Sequence, residues 1–440
     1  MKPVLIIGGG LAGSEAAWQI ARRGLPVRLC EMRPARTTLA HKTPHLAEIV
    51  CSNSFKSNQP GTAPWLLKEE LKALDSLLLE LANQNRVPSG ASLSVDRERF
   101  AAAVTEALAA CPRVEVVREE VAGLPEQGPA IVATGPLTSP ALSRSLQEFM
   151  GEDHLYFYDA ISPIVETDSI DLDKTWRGSR YGKGGADYLN CPLDREEYLA
   201  FYQALIHAES VPLHQCEKNL YFEGCLPIEE MARRGVDTLR FGPMKPVGLI
   251  DPRTGRRPYA AVQLRQETLK ADSYNMVGFQ NHLRFGEQQR VFRTIPGLER
   301  ARFLRLGQIH RNTFINAPLQ LKDTLQSRKR PDLFFAGQLS GVEGYVECVA
   351  TGLVAGVNAA RLAAGQPLPS WPRASAIGSL LHYLVSADPR NFQPENINFG
   401  LIPPLRDGPA RMGRKEKRRL QTEIALKETS RLAAGLSVSD

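Results

Sequence analysis

Two sets of residues in this chain have the types and spacing to do chemistry. The first is Gly8, Gly10 and Gly13 in Gly8-Gly-Gly-Leu-Ala-Gly13, with Glu31 downstream. In this GxGxxG spacing the first glycine permits a tight turn and the second lets backbone approach a pyrophosphate. The third lets a helix pack closely on its strand. An acid at the distance of Glu31 accepts hydrogen bonds from an adenosine ribose. The second set is thiols. Cys51 stands in Cys51-Ser-Asn-Ser-Phe-Lys56, a polar stretch with Lys56 close by, and Cys225 in a Gly-Cys-Leu-Pro turn. A thiol of ordinary pKa, about 8.5, is only a few per cent thiolate at neutral pH, yet that thiolate is strongly nucleophilic. Most cysteines are small buried hydrophobes, and Cys30, Cys111, Cys191, Cys216 and Cys348 read that way.

The glycines need a strand before them and a helix after. Val4 to Ile7 is a short apolar run suited to a strand buried on both faces. A helix starts at once and closes at Gly24, and Pro26 to Glu31 reads as a second parallel strand. The helix N-terminus carries about half a positive charge and unsatisfied N–H groups, so Gly8, Gly9, Gly10, Leu11, Ala12 and Gly13 form the expected diphosphate cradle. Leucines at 66, 67, 71, 74, 77, 78 and 81 predict one amphipathic helix, and Asp96 is the predicted N-cap of another. Ala130 to Gly135 is a further strand, ending in Ala133-Thr-Gly135 as flavin-binding folds often do. Arg330 to Gln338 repeats the device: a strand ending in Ala336-Gly337, then Gly341 and Gly344, then a helix over 346–364. Two such junctions far apart in sequence favour an extended dinucleotide over an S-adenosylmethionine pocket.

Between these halves the βαβ alternation stops, which predicts an inserted domain. The expected fold class is α/β: a discontinuous Rossmann-like FAD-binding domain with an inserted α+β domain. The expected bounds are 1–168 and 286–405 for the nucleotide domain, 169–285 for the insertion and 406–440 for a basic C-terminal helix. A chain of 440 residues is long enough for such a division. No run of about eighteen apolar residues is present and no secretory signal opens the chain, so a cytoplasmic protein is expected. Seven cysteines without a CxxC pair argue against a disulfide framework or a zinc site, and no histidine pair has metal-binding spacing. Eight Lys/Arg fall between Arg233 and Arg265, and six between Arg411 and Arg419 against the single Glu416. Such clusters suit phosphate contacts or, equally, a solvated helix face. Tyr188, Tyr221, Phe222 and Tyr259 lie beside the first cluster. They could stack on bases, at about 1–3 kcal/mol each, although most aromatics belong to cores.

Several segments together resemble one family. They are Gly8 to Glu15, Cys51 to Lys56, Phe222 to Ile228, Asp237 to Gly248, His310 to Asn316 and Gly337 to Tyr345. The chain resembles the TrmFO family, the folate- and FAD-dependent tRNA (uracil-5-)-methyltransferases, and is more distantly similar to the GidA wobble-uridine enzymes. The resemblance implies FAD, with methylenetetrahydrofolate as carbon donor and NAD(P)H as reductant. It also implies tRNA as substrate, with a T-loop uridine converted to 5-methyluridine. Cys51 and Cys225 match the family's functional cysteines and Tyr345 an aromatic position near the flavin. Gly135 and Gly337 belong to the expected cofactor set. No metal, membrane or obligate protein partner is implied. Two other readings stay open: a GidA-like enzyme, and an FAD-stabilised tRNA-binding or folding factor. GidA-type chains are typically longer, so an end at residue 440 points away from the first of these.

Overall fold

The computed structural model describes residues 2–38, 40–151, 155–211, 226–405 and 412–436. Tyr221, Phe222 and Cys225 lie outside the described residues.

The apolar runs form a five-stranded parallel sheet in the order Leu333–Phe335, Ala130–Val132, Val4–Ile7, Val27–Cys30, Val114–Val117. The strand from the second half of the chain therefore pairs directly with one from the first, and the domain is discontinuous. In register, Ile7 stands opposite Cys30 and Val132, and Val132 opposite Phe335. The strands end level, so Gly8, Glu31, Ala133 and Ala336 leave the sheet along one edge. In open α/β sheets this carboxyl edge is where ligands bind.

The segment between these halves builds a second sheet of six strands. Its order is Trp176–Arg177, Tyr188–Leu193, Ala260–Gln266, Ser273–Met276, Ile164–Glu166, Phe303–Arg305, with antiparallel pairing throughout. Side chains alternate between its faces. Leu189, Cys191, Val262, Leu264, Tyr274 and Met276 pack with Tyr198, Phe201 and Phe292 into a separate core. The opposite face carries Asn190, Gln263, Arg265 and Asn275, all buried although polar. This is an α+β insertion of the kind the lost βαβ pattern predicts, but its strands Ile164–Glu166 and Phe303–Arg305 lie outside the expected bounds 169–285, because short strands give no local sign of which sheet they join.

Two elements differ from expectation. The leucine stripe runs through two helices, Ala63–Ala73 and Leu77–Gln84. Asp75 takes a left-handed conformation (φ 56°), and the Ser76 side chain accepts from Leu79 N at 3.3 Å, restarting the helix on a new axis. The Tyr345–Ala363 helix is the one helix among the described residues long and apolar enough to cross a membrane. Most of it is buried inside the protein, against the Leu11–Ala21 helix and the parallel sheet, as befits a core helix. The predicted N-cap at Asp96 is present, its carboxylate accepting from Arg99 N at 3.2 Å.

The Leu11–Ala21 and Tyr345–Ala363 helices cross at backbone contact. A Cβ on Gly352 would overlap the Ala12 backbone, and one on Gly356 would lie 2.8 Å from Ala16 O. Gly352→Ala is therefore expected to force the helices apart at a cost of about 1–3 kcal/mol, the range for overpacked cores. Thermal unfolding checks this, and an unchanged melting midpoint would show that the crossing is loose.

Candidate functional site

The first junction is a cradle with one open side. Gly8 has φ 103°, and a Cβ on Gly13 would overlap Gly8 O, so neither position accepts a side chain. A Cβ on Gly10 would meet nothing within 4 Å. That open space adjoins a cleft lined by Gly8, Gly10, Glu31, His41, Thr134 and Ser139 among others. Gly10 is the N-cap of the Leu11–Ala21 helix and has no side chain to satisfy its first N–H groups. A diphosphate suits that place by charge and hydrogen bonding.

Glu31 is 5% exposed and accepts from Gly9 N at 2.9 Å, Arg33 N at 3.0 Å and Arg33 Nε at 2.8 Å. Burial alone would raise its pKa, but the Arg33 hydrogen bonds and charge outweigh it and hold the carboxyl below its ordinary range. Its two oxygens offer about four acceptor sites, so one remains for a ribose hydroxyl. Gly135 (φ 66°) and Gly337 (φ 74°) follow the neighbouring strands, and Gly337 N donates to Thr351 Oγ1 at 2.9 Å. These residues fit a dinucleotide lying along the sheet edge.

Cys51 and Tyr345, 294 positions apart, meet beyond the cradle. The Tyr345 phenol oxygen accepts from Cys51 N at 3.0 Å and Ser52 N at 3.2 Å. Burial, then the neighbouring Cys51, raise the phenol pKa above its ordinary value, so Tyr345 stays neutral. Arg97 holds the same loop, donating to Ile49 O at 3.0 Å and Cys51 O at 3.1 Å. It is itself held by Glu267 of the inserted sheet, Nε to Oε2 at 2.5 Å and Nη2 to Oε1 at 3.2 Å. Asn53, fully buried, donates to Val95 O and Gln266 O, at 3.1 and 3.0 Å. Arg265, also from that sheet, donates to Ser52 Oγ at 2.7 Å. Arg97, Arg265 and Arg305 all lie within electrostatic reach of Cys51.

Other expected residues fall elsewhere. Lys56 pairs with the buried Glu347 at 2.8 Å and bonds Asn396, so it braces the start of the Tyr345–Ala363 helix. Much of the 233–265 basic run is engaged locally. Arg233 pairs with Glu230, Arg240 with Asp237, and Arg253 with Asp251. Arg240 also stacks 3.6 Å from the centroid of Tyr259, and Tyr188 donates to Ser89 O at 2.9 Å. Arg256 and Arg257 stay exposed on their turn. The C-terminal cluster presents Arg414, Lys415, Arg418 and Arg419 to a groove whose far wall is Gln59 to Thr62 and Trp65. Arg97, Glu267 and Arg265 escaped the sequence reading as site residues. Arg265 was legible only as one more base in a run, and nothing local marks Arg97 beyond its place after a helix cap.

The cradle and the sheet edge define a class of dinucleotide-binding protein. The profile of the family described as "Glucose inhibited division protein A" matches residues 3–367. Aquifex aeolicus GidA shares the fold: its form II crystal structure aligns with a TM-score of 0.72 and 17% identity, over 100% of this chain and 74% of that one. Much nearer in sequence are proteins named methylenetetrahydrofolate–tRNA-(uracil-5-)-methyltransferase TrmFO. The one from Koribacter versatilis is 58% identical over 428 residues, 97% of this chain and 96% of its own length. The one from Solibacter usitatus is 59% identical over 421 residues, 95% of each chain. This chain belongs to the TrmFO family.

Because the space over Gly10 is open in the folded protein, Gly10→Leu is expected to fold and to melt like dinucleotide-free wild type while losing bound dinucleotide. The check is the adenine-dinucleotide released from purified protein by heat. Full retention would move the pyrophosphate away from this cradle.

Proposed function

We propose that this protein methylates C5 of a uridine in the T loop of tRNA, taking the carbon from methylenetetrahydrofolate and its electrons ultimately from NAD(P)H. The single observation that carries this reading is Cys51, held on a loop between two domains, against Tyr345 and within reach of three arginines. The relatives at 56–59% identity bear the name of that activity. FAD would be held by Gly8 to Gly13, Glu31, Gly135 and Gly337, and when bound and reduced it supplies the electrons that turn a transferred methylene into a methyl group.

What the chain's own residues do follows from the chemistry of uracil. C5 is a poor nucleophile until a thiolate adds at C6 and makes the ring enolate-like. Positive charge beside the reacting ring favours the enolate. Arg97 keeps the Cys51 backbone in place through two carbonyls, and Tyr345 does so through two N–H groups. After C5 takes the carbon and loses its proton, the sulfur leaves C6. Cys51 and Cys225 are the proposed pair for the reaction.

Replacing either cysteine with Ala is expected to abolish methyl transfer to tRNA, with melting midpoint and bound flavin unchanged. A merely structural cysteine would do the reverse, costing about 1 kcal/mol of stability and sparing activity in the folded fraction. Single-turnover transfer and melting on the same samples separate the two. Either variant methylating at the wild-type rate would remove that cysteine from the mechanism. A covalent complex with 5-fluorouridine-containing tRNA that forms in only one of the variants assigns the sulfur that adds to C6.

The groove beside the Arg414–Leu436 helix is the proposed path of the tRNA backbone. Lys/Arg contacts to phosphate displace condensed counterions, so affinity should fall steeply with salt. Neutralising Arg414, Lys415, Arg418 and Arg419 together is expected to flatten that slope by up to about four phosphate contacts while flavin absorbance is kept. An unaltered slope would return the cluster to a solvated helix face.

A further inference from the structure

The inserted sheet turns a row of hydrogen-bond donors toward the Cys51 loop, and two nitrogens in it, Arg265 Nε and Asn275 Nδ2, have no acceptor. Arg265 and Asn275 are direct cross-strand partners, so their side chains share a face. The row continues to Tyr188 on one side and, past Ile164, to Arg305 on the other. Arg265 is 7% exposed and Asn275 2%. Arg265 spends one nitrogen on Ser52 Oγ, while its Nε has no hydrogen-bond partner and neither has Asn275 Nδ2. A buried donor without an acceptor is costly, and natural proteins keep few of them. Charge is unbalanced in the same place. Arg97, Arg265 and Arg305 are electrostatically coupled to one common carboxylate, Glu267, which already forks onto Arg97. Burial, with no carboxylate of its own to offset it, pulls the Arg265 pKa down.

We propose that Arg265 and Asn275, flanked by Arg305, form a subsite for a carbonyl or carboxylate oxygen of a substrate bound over Cys51. The proposal deepens the functional reading above and rests on it. A guanidinium and an amide side by side suit an oxygen bearing full or developing negative charge. Two sources carry such an oxygen to this place. One is the pyrimidine ring, whose carbonyl gains charge when the sulfur adds. The other is the glutamyl carboxylate of the folate.

The test uses the full-length flavin-loaded protein and the variants Arg265→Gln and Asn275→Leu. Melting midpoint, bound flavin, tetrahydrofolate affinity and the rate of covalent trapping by 5-fluorouridine-containing tRNA are measured. Both variants should keep flavin. Asn275→Leu should melt at or above wild type, because it removes a buried donor that has no acceptor. A pyrimidine subsite lowers the trapping rate at least tenfold in both variants and leaves tetrahydrofolate affinity alone. A carboxylate subsite weakens tetrahydrofolate at least tenfold, and the difference vanishes with tetrahydropteroate, which lacks the glutamate. If both variants stay within twofold of wild type on both probes, the subsite does not exist. Asn275→Leu melting well below wild type would likewise overturn it, making the row structural. Ser52→Ala removes the contact to the loop and leaves the row; reproducing the whole loss there would mean that Arg265 acts only through Ser52. Wild-type protein that neither binds tetrahydrofolate nor traps tRNA would defeat the functional reading, while the melting comparison still judges the row.

Discussion

The structure depends on one close approach, the crossing of the Leu11–Ala21 helix with the Tyr345–Ala363 helix. Gly352 and Gly356 let the second helix lie against the backbone of Ala12 and Ala16. That contact joins the two ends of a domain interrupted by a complete second unit, and it brings the first glycine junction beside the second. Gly337 approaches Ala12 so closely that its own Cβ would sit 3.0 Å from that of Ala12. Tyr345, at the start of the second helix, is thereby delivered to the loop that carries Cys51. The helix is apolar because it is buried on nearly every side, and not because it faces lipid.

A second constraint ties the insertion to the site. Arg97 and Glu267 form a buried, forked ion pair between the nucleotide domain and the inserted sheet. Burial pulls the Arg97 pKa down, yet Glu267 outweighs it and holds the guanidinium charged. Breaking such a pair typically costs about 3–5 kcal/mol because an uncompensated charge is left inside. Arg97 then uses its remaining donors on the carbonyls of Ile49 and Cys51. The orientation of the insertion and the position of the thiol are thus set by the same side chain. Glu31 and Arg33 work similarly at the other end of the cradle, with Glu48 accepting a second Arg33 nitrogen at 2.9 Å.

Much of the frame was legible because it is written in local patterns. A short apolar run followed by GxGxxG has few physical solutions, and the strands at 4–7, 27–30, 130–132 and 333–335 follow the apolar runs closely. The helix cap at Asp96 was equally local. The leucine stripe misled at one point because apolar spacing does not register a single left-handed residue, and Asp75 ends one helix there while Ser76 begins another. The 233–265 basic run holds less free charge than its composition suggests, for a related reason. Composition counts charges, but Arg240 and Arg253 each lie beside an aspartate three or two residues earlier and an aromatic ring brought in by the fold.

The sequence by itself determined the class of fold, the family and the glycine cradle, since each rests on residues adjacent in the chain whose backbone demands are the same in any context. It also marked Cys51 and Tyr345, through short segments that resemble a family. Only the tertiary structure decided that Tyr345 binds the Cys51 loop, that Lys56 turns away to Glu347, and that Arg97, Arg265 and Arg305 come within electrostatic reach of Cys51. Those facts depend on strand register in one sheet and helix packing in another. A one-residue slip in the pairing of Ala260–Gln266 would turn Arg265 into the apolar core and Leu264 toward Cys51. No local pattern encodes that choice. It is made by the summed burial of Val262, Leu264, Tyr274 and Met276 on the other face, which leaves the charged row no direction but the site.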